Sequence, residues 1–315
     1  MTIQENVLLS QHTNLRVGGP ADYFVDATAE QELLEALAFA KKKEIPYFVL
    51  GGGTNVVIGD GGYRGLVVKN KMNEIKMVGM RGTIRSGESK AEQIIFVQAD
   101  AGVLVNRLVR YTLDESLTGL ENFLGQPGTV GGATWINAHN MNQNDFFGDH
   151  VSQARILEGD GEIKTVKQQY FKFGYDQSSL QKTGALVLSV IVRLTKSEKE
   201  KVWEKGNAAM HYRSDTQPKG SPTAGCTFRN ITLSDAMRIG TPNHTRSAGY
   251  LIDAVGLKGK QIGGAKISGE HANFMLNIHN AKAADIMGLI RLAKREVKKK
   301  FGVSLKEEVV LVGEF

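Results

Sequence analysis

Hydrophobic positions in the first half of the chain alternate between helical and strand spacing. Between residues 28 and 43 the apolar side chains recur with the period of an α-helix, and Thr28 and Gln31 have the spacing of a capping box at its start. Three lysines, 41–43, favour the carboxyl end of this helix. The same reasoning predicts strands over 46–50 and 65–68 and a helix over 103–113.

The pattern changes near residue 151, where hairpin spacing replaces the alternation of helix and strand. Residues 154–157 and 162–166 read as two strands around a Gly-Asp-Gly turn, and 185–194 reads as a long buried strand. A charged run, 196–201, is the best candidate for a domain boundary. Beyond it we predict strands over 273–277 and 308–312 and a periodic helix from 286 to 301 that stops at Gly302.

The length of 315 residues is about twice the common domain size, so two domains are expected, 1–198 and 199–315. Hydrophobic residues make up 41% and charged residues 23%, which excludes a wholly disordered, collagenous or coiled-coil chain. Glycine is the deviation that matters: 36 residues is roughly 11%, against an average near 7%. We expect the backbone to approach another group closely.

The formal net charge of +6 raises the possibility of a nucleic-acid partner. The one dense basic run, within 294–300, is interrupted by Glu296 and contains no aromatic residue, so we interpret it as a solvated helix face and expect no nucleic acid. The longest apolar run, 185–194, is too short for a membrane span. A single cysteine, Cys226, and a polar start without an apolar signal core predict a cytoplasmic protein.

Two glycine-rich segments are candidates for binding a cofactor. The first, Leu50-Gly51-Gly52-Gly53-Thr54-Asn55, follows a predicted strand but places Val56 where a dinucleotide fingerprint needs glycine, and it has no Walker lysine. Alone it is equally compatible with an ordinary tight loop. The second segment, 119–133, is too glycine-dense for a simple turn. Two such loops can hold two sides of one extended cofactor.

Other chemistries find little support in the sequence. The seven histidines form no His-x-x-x-His pair, we see no acidic cluster at metal spacing, and a zinc or iron centre is not expected. A Gly-x-Ser-x-Gly hydrolase elbow is also missing from the sequence. Cys226 could be a nucleophile, but a lone cysteine is more often a small buried apolar residue.

An ordered set of short segments spans nearly the whole chain and resembles the family of UDP-N-acetylenolpyruvoylglucosamine reductases, flavoenzymes of peptidoglycan precursor synthesis. No single piece is diagnostic, and their combination is highly specific. The matching pieces include 13–19 (TNLRVGG), 50–56 (LGGGTNV), 119–121 (GLE), 127–132 (PGTVGG), 137–138 (NA), 173–175 (FGY), Arg213, 217–218 (QP), 224–230 (AGCTFRN), 271–274 (HANF) and 308–309 (EV).

The resemblance implies an α+β protein in which a two-lobed FAD-binding domain of the vanillyl-alcohol-oxidase type precedes a smaller α+β substrate domain. The lobes would cover about 1–68 and 69–198, and 199–315 would cover the substrate. The implied cofactors are FAD and NADPH. Hydride would pass from NADPH to FAD and then to the enolpyruvyl group of a UDP-linked amino sugar, giving UDP-N-acetylmuramate. We expect a monomer.

The resemblance also implies site residues. Cys226 falls on the serine that donates a proton, Glu308 on a supporting glutamate, and Asp176 on an arginine that faces the enolate. The implied FAD-binding residues are Leu50, Gly51, Gly52, Gly53, Thr54, Asn55, Gly119, Pro127, Gly128, Val130, Gly131 and Gly132. Those implied to bind substrate are Arg213, Gln217, Asn230 and His271, the last of which could instead be satisfied inside the fold.

Two departures from the family pattern bear on activity. A thiol at 226 is a readier acid than a hydroxyl, so the donor role can survive. Asp176 instead places a negative charge where the family has a positive one. At about 4 Å from the enolate, this reversal changes the interaction energy by several kcal/mol in a partly buried site. Either another cation (Arg213, Lys258, Lys172 or Arg229) substitutes, or the loop register is shifted, or reductase activity is lost or altered.

A third departure is Asn137-Ala-His-Asn-Met141, where the family often continues with Gly-Ala-Tyr after Asn-Ala. Two functional alternatives remain open at this stage. One is a flavin oxidase or dehydrogenase of the same fold that acts on another substrate. The other is a flavin- or nucleotide-binding protein without turnover.

Overall fold

The protein is described by a computed structural model, which covers residues 1–83 and 92–315. The amino-terminal unit is a four-stranded sheet in the order β1-β2-β5-β3 with one helix packed on it. Its parallel pairs, β2 with β5 and β3 with β5, bring the carboxyl end of β3 to the sheet edge that leads into the first glycine loop. The elements are β1 (Gln4–Leu8), β2 (Pro20–Ala27), α1 (Glu30–Lys42), β3 (Tyr47–Leu50), β4 (Val56–Ile58) and β5 (Tyr63–Asn70).

The helix predicted between residues 28 and 43 is confirmed as α1, with its apolar residues buried against the sheet. The predicted capping box is wrong. The N-cap residue is Ala29, which offers no side-chain acceptor, and Thr28 instead donates its N–H and its hydroxyl to the Glu32 carboxylate at 2.8 and 2.7 Å. Burial of Leu33, Ala36 and Ala40 therefore does more to fix this helix than its cap.

The middle unit is an antiparallel sheet in the order β12-β11-β13-β7-β6, with β8 also paired to β13. The long strand predicted over 185–194 is its central member, and the predicted hairpin is its edge. The elements are β6 (Ile75–Thr83), β7 (Glu92–Asp100), α2 (Val105–Asp114), β8 (Leu117–Thr118), α3 (Val130–Ile136), β9 (His139–Asn140), β10 (Asp145–Phe146), α4 (Phe147–His150), β11 (Val151–Leu157), β12 (Ile163–Lys167), α5 (Leu180–Thr183) and β13 (Leu186–Lys196).

The helix after the charged run, α6 (Lys199–Thr216), packs on the middle unit. Val202 is buried in the core of that unit, with Trp203 and Met210 beside it. Judged by side-chain packing, the middle unit therefore extends to Thr216, the last residue of α6. The charge pattern instead predicts a domain boundary after residue 198. The charged residues mark the first turn of a helix that carries an apolar stripe.

The carboxyl-terminal unit is a small antiparallel sheet, β14-β17-β16-β15, covered by helices. The predicted final helix is confirmed as α9, and Gly302 ends it at a positive φ of 66°. None of the helices in the described ranges is long and apolar enough to cross a membrane. The elements are β14 (Thr223–Cys226), α7 (Leu233–Ile239), α8 (Ala248–Ala254), β15 (Gln261–Ile262), β16 (Ala265–Ile267), β17 (Phe274–Asn277), α9 (Ala283–Phe301) and β18 (Val310–Val312).

The last strand returns to the amino-terminal unit. β18 pairs in parallel with β4, with Val310 opposite Val56. A second link joins the same two units, since the carboxylate of Asp60 accepts the N–H groups of Ala283 and Ala284 at the start of α9, at 2.7 and 2.9 Å. These links place Glu308, just before β18, beside the first glycine loop.

Candidate active site

One cavity of about 1040 Å³ is lined by residues of all three units. It contains most of the residues that the resemblance implies. Those that line it are Leu50, Gly51, Gly52, Gly53, Thr54, Asn55, Pro127, Gly128, Gly131, Gly132, Asp176, Arg213, Gln217, Cys226, Asn230, His271 and Glu308. The fold therefore brings the two glycine loops, the thiol of Cys226 and the carboxyl groups of Asp176 and Glu308 to the same cavity.

The first glycine loop, residues 51–55, presents main-chain donors to this cavity. Within residues 1–83 and 92–315, none of its five N–H groups donates a hydrogen bond to another part of the chain. The N–H groups of Gly128 and Thr129 in the second loop are likewise without an acceptor in the described chain. Unpaired main-chain donors that converge on a cavity are suited to an extended anion such as a diphosphate.

The glycines also allow the two loops to touch. A Cβ at Gly51 would lie 2.4 Å from the hydroxyl oxygen of Thr129, and one at Gly52 would lie 3.1 Å from the Cα of Gly128. Gly53 has a φ of +66° and packs on the main chain of His12. Close loop contact and free amides together fit the diphosphate of FAD, so the residues present are compatible with that cofactor.

Two of the implied cofactor residues lie elsewhere. Gly119 is absent from the cavity lining; its N–H donates to the Glu121 carboxylate at 2.6 Å, and a Cβ there would meet Leu194 at 2.8 Å. Val130 is fully buried in the core of the middle unit. Glycine at 119 is explained by packing against β13, and Val130 by its place on the inner face of α3.

Cys226 ends β14 and faces the cavity. A register shift between Thr223 and Cys226, with Gly225 at a φ of +80°, turns the strand end. Asn273 fixes the chain that follows: its side chain bonds both the N–H and the carbonyl of Phe228, at 2.9 and 2.7 Å. The thiol of Cys226 therefore lies at the end of a strand whose continuation is fixed by the Asn273 side chain.

Glu308 reaches the same place from the far end of the chain. Its N–H donates to the Thr227 carbonyl at 2.8 Å, and its own carbonyl accepts from the Asn55 side chain at 3.2 Å. Glu308 is thus fixed between the residue that follows Cys226 and the last residue of the first glycine loop. The thiol and the carboxyl group are neighbours in space although the chain separates them widely.

Burial controls the protonation of both groups. It raises the pKa of the Cys226 thiol, and the charge of Glu308 raises it further. Burial also raises the pKa of Glu308 well above its usual range, helped by the charge of Asp176 and opposed by Arg229. Both shifts favour the protonated form, which is the form that can donate a proton or a hydrogen bond.

Asp176 lies in the cavity wall with only 1% of its side chain exposed. Its backbone is left-handed, with φ at 51°, and its carbonyl accepts from the Gln181 side chain at 3.0 Å. The neighbouring Tyr175 accepts the N–H of Asn230 at 3.3 Å, and burial, then the charge of Asp176, raise the pKa of its hydroxyl. The segment that departs from the family pattern therefore remains part of the cavity.

The four cations considered for the place of the arginine occupy different positions. Arg213 lines the cavity, donates to Gln126 at 3.0 Å and leaves its buried Nε without a partner in the described chain. Burial lowers the pKa of its guanidinium. Arg229 does not line the cavity, but its charge lowers the pKa of Glu308. Lys172 and Lys258 do not line the cavity, and Lys258 pairs with Asp253 at 2.9 Å.

The remaining implied substrate residues face the same space. Gln217 follows the end of α6, and Asn230 accepts the Ala248 N–H at 3.3 Å while lining the cavity. His271 also lines it, although Nδ1 accepts the Asn273 N–H at 3.3 Å. Burial lowers the pKa of His271, and Lys258 adds to this effect. His271 therefore makes a hydrogen bond within the fold and also lines the cavity.

Sequence reasoning assigned no role to His139, Tyr175 and Asn273, which also belong to the site. The departure at 137–141 was the available signal for His139. An acidic cluster that the spacing of the sequence did not predict lies at the β11–β12 turn, where carboxylate oxygens of Glu158, Asp160 and Glu162 lie within 4.8 Å of one another. Lys164 already pairs with two of them, at 2.6 and 3.0 Å.

Comparisons with known proteins agree with this arrangement. The family model described as "UDP-N-acetylenolpyruvoylglucosamine reductase, C-terminal domain" matches residues 217–312, and that described as "FAD binding domain" matches 21–167. The UDP-N-acetylenolpyruvoylglucosamine reductase of Clostridium botulinum is 34% identical over 312 residues, which cover 99% of this chain and 93% of that protein. A second relative, UDP-N-acetylenolpyruvoylglucosamine reductase 2 of Bacillus cereus, is 34% identical over 316 residues, with 99% and 93% covered.

A solved structure is similar over its full length. The crystal structure of UDP-N-acetylenolpyruvylglucosamine reductase from Thermus caldophilus superposes with a TM-score of 0.77 at 30% identity and covers 99% of each chain. The match extends through all three units, including the returning strand β18.

Proposed function

Because the chain belongs to the UDP-N-acetylenolpyruvoylglucosamine reductase family, we propose that the cavity described above is its active site and assign roles to its residues. The chain is an FAD-dependent oxidoreductase of peptidoglycan precursor synthesis, with NADPH as the reductant and UDP-N-acetylglucosamine enolpyruvate as the substrate. Its FAD-binding domain is of the vanillyl-alcohol-oxidase type. The product is UDP-N-acetylmuramate.

The two glycine loops form the proposed FAD site. The N–H groups of residues 51–55 and of Gly128 and Thr129 are the donors available to the cofactor diphosphate. Pro127, Gly131 and Gly132 complete the second wall. Bound FAD supplies the hydride carrier between NADPH and the enolpyruvyl group.

Cys226 is the proposed proton donor. The high pKa of its buried thiol keeps the proton in place until charge develops on the substrate, when the carbon next to the carboxylate becomes basic enough to take it. Arg213 opposes that rise in pKa, so its charge favours proton release. Glu308, whose protonated form is favoured by burial, is proposed to donate a hydrogen bond to the developing enolate.

The UDP-linked sugar is proposed to lie along the wall formed by the carboxyl-terminal unit and the end of α6. Arg213, Gln217, Asn230 and His271 provide a cation and polar groups there. A guanidinium with an unpartnered Nε can bind a phosphate or carboxylate oxygen without first giving up another bond. The wall is therefore suited to an anionic nucleotide sugar.

The observation that carries these roles is the adjacency of Cys226 and Glu308, joined through Thr227, in a cavity that also contains the free amides of the glycine loops. A stopped-flow experiment tests it in two half-reactions. Cys226→Ala should leave flavin reduction by NADPH intact and stall flavin reoxidation by the enolpyruvyl substrate, and Cys226→Ser should keep much of the rate. Normal reoxidation in Cys226→Ala contradicts the assignment.

We also place the protein in the cytoplasm as a monomer. The single cysteine of the sequence has a proposed role that requires a free thiol, as is usual in a reducing compartment. Light scattering of the purified holoenzyme should give the mass of one chain. A dimer at micromolar concentration contradicts the monomer.

A further inference from the structure

Two positions at which the chain departs from the family pattern contact each other. His139 stands in the segment 137–141, and Asp176 stands where the family has arginine. Nδ1 of His139 lies 3.2 Å from Oδ1 of Asp176, and both residues line the cavity. A carboxylate and an imidazole at two departures therefore form one pair.

The buried polar atoms of His139 and Asp176 have no hydrogen-bond partner in the rest of the described chain. Both oxygens of Asp176 and Nδ1 of His139 are buried, and none of them has a hydrogen-bond partner elsewhere in residues 1–83 and 92–315. The two atoms have the separation of an ion pair without the alignment of a hydrogen bond. A buried carboxylate is costly unless another group pairs with it, and His139 is the group that lies beside Asp176.

The imidazole of His139 is packed between two aromatic rings. The side chain of His139 is 16% exposed, and its ring lies between Tyr175, at 5.0 Å, and Phe146, at 5.8 Å. These rings fix its plane, while Asp176 occupies the Nδ1 edge. His139 is also one of the residues that line the cavity.

We propose that His139, positioned by its contact with Asp176, binds the carboxylate of the enolpyruvyl group and takes the place of the family arginine. This inference rests on the proposed function of the same site. Nδ1 of His139 faces the Asp176 carboxylate at 3.2 Å, and in the proposed complex the Nε2–H group donates to the substrate carboxylate. An aspartate paired in this way repels an anionic substrate less than an unpaired one would.

The test compares two ligands that differ in the carboxylate. UDP-N-acetylmuramate carries a lactyl carboxylate, and UDP-N-acetylglucosamine does not. By calorimetry on the holoenzyme, His139→Gln should weaken binding of UDP-N-acetylmuramate about tenfold or more, the scale of losing a charge-assisted hydrogen bond. Its affinity for UDP-N-acetylglucosamine should stay within about twofold of the wild type.

A matched control exists in the same unit. His150 pairs with Asp145 at 2.8 Å and does not line the cavity. His150→Gln should leave both affinities unchanged. The double variant His139→Ala, Asp176→Arg returns a cation to the family position and should recover the preference for UDP-N-acetylmuramate.

The outcomes separate the possible failures. If the wild type binds both ligands and His139→Gln retains the full preference for UDP-N-acetylmuramate, the role of His139 is refuted and the proposed function stands. Equal losses for both ligands identify His139 as a structural residue and also overturn the inference. If the wild type binds neither ligand, the proposed function fails and the inference fails with it.

Discussion

The side-chain amide of Asn55 donates to the carbonyl of Glu308, 3.2 Å away. This bond joins the last residue of the first glycine loop to the segment that carries the proposed acid. β18 continues the link, because Val310 donates its N–H to the Asn55 carbonyl at 2.9 Å. The proposed cofactor loop and the Glu308 segment are therefore positioned by the same contact.

Asn55→Asp should weaken FAD binding and also displace Glu308. The new carboxylate would face both the cofactor diphosphate and the Glu308 carbonyl, so a donor is replaced by an acceptor with a charge. We expect at least tenfold weaker retention of FAD, measured by flavin fluorescence. Asn280→Asp makes the same change at an exposed position outside the cavity and serves as the control. Equal FAD affinity in both variants contradicts the role of Asn55.

Asp60→Ala should loosen the contact between the amino-terminal unit and α9. The Asp60 carboxylate accepts two N–H groups of the first turn of that helix, as an N-cap residue does, although it comes from a distant segment. We expect a loss of about 1–2 kcal/mol in the free energy of unfolding, seen as a lower urea midpoint at constant slope. Asp60→Asn, which keeps an acceptor, should lose less. An unchanged midpoint in Asp60→Ala means that water replaces the carboxylate.

The amino-acid pattern predicts the regular elements well where one apolar face is buried. α9 and β13 follow from period and length alone because their apolar residues fill cores. The packing of α6 could not be predicted in this way, because its few apolar residues stand among many charged ones. The glycines of 119–133 were likewise indistinguishable by composition: Gly119 meets Leu194, whereas Gly128 faces the cavity.

The candidate site was predictable only in part. Cys226 and Glu308 meet because β18 returns to β4, a pairing that no local pattern encodes. The family resemblance supplied these two residues, and it also marked Asp176 as a departure. It could not supply His139, because the contact between His139 and Asp176 arises from the placement of two loops.

The pH dependence of the substrate half-reaction should respond in opposite directions to two neighbours of Glu308. Asp176 raises the pKa of Glu308 and Arg229 lowers it. Removing the negative charge in Asp176→Asn lets Glu308 lose its proton at lower pH, so the alkaline fall in flavin reoxidation moves to lower pH. Arg229→Gln should move it to higher pH. Shifts in the same direction, or none, contradict the role of protonated Glu308 as the hydrogen-bond donor to the enolate.

Arg213→Ala tests whether the guanidinium at the end of α6 acts on the substrate. Arg213 lines the cavity, leaves Nε unpartnered and lowers the pKa of the Cys226 thiol. Its loss should slow flavin reoxidation by the enolpyruvyl substrate by roughly 10²-fold, the scale of losing a principal donor to an oxyanion, and should spare reduction by NADPH. Arg238→Ala removes the same charge from an exposed pair with Asp235 and should change neither rate. If Arg213→Ala reoxidises at the wild-type rate, its bond to Gln126 is structural and the substrate charge is met by other groups.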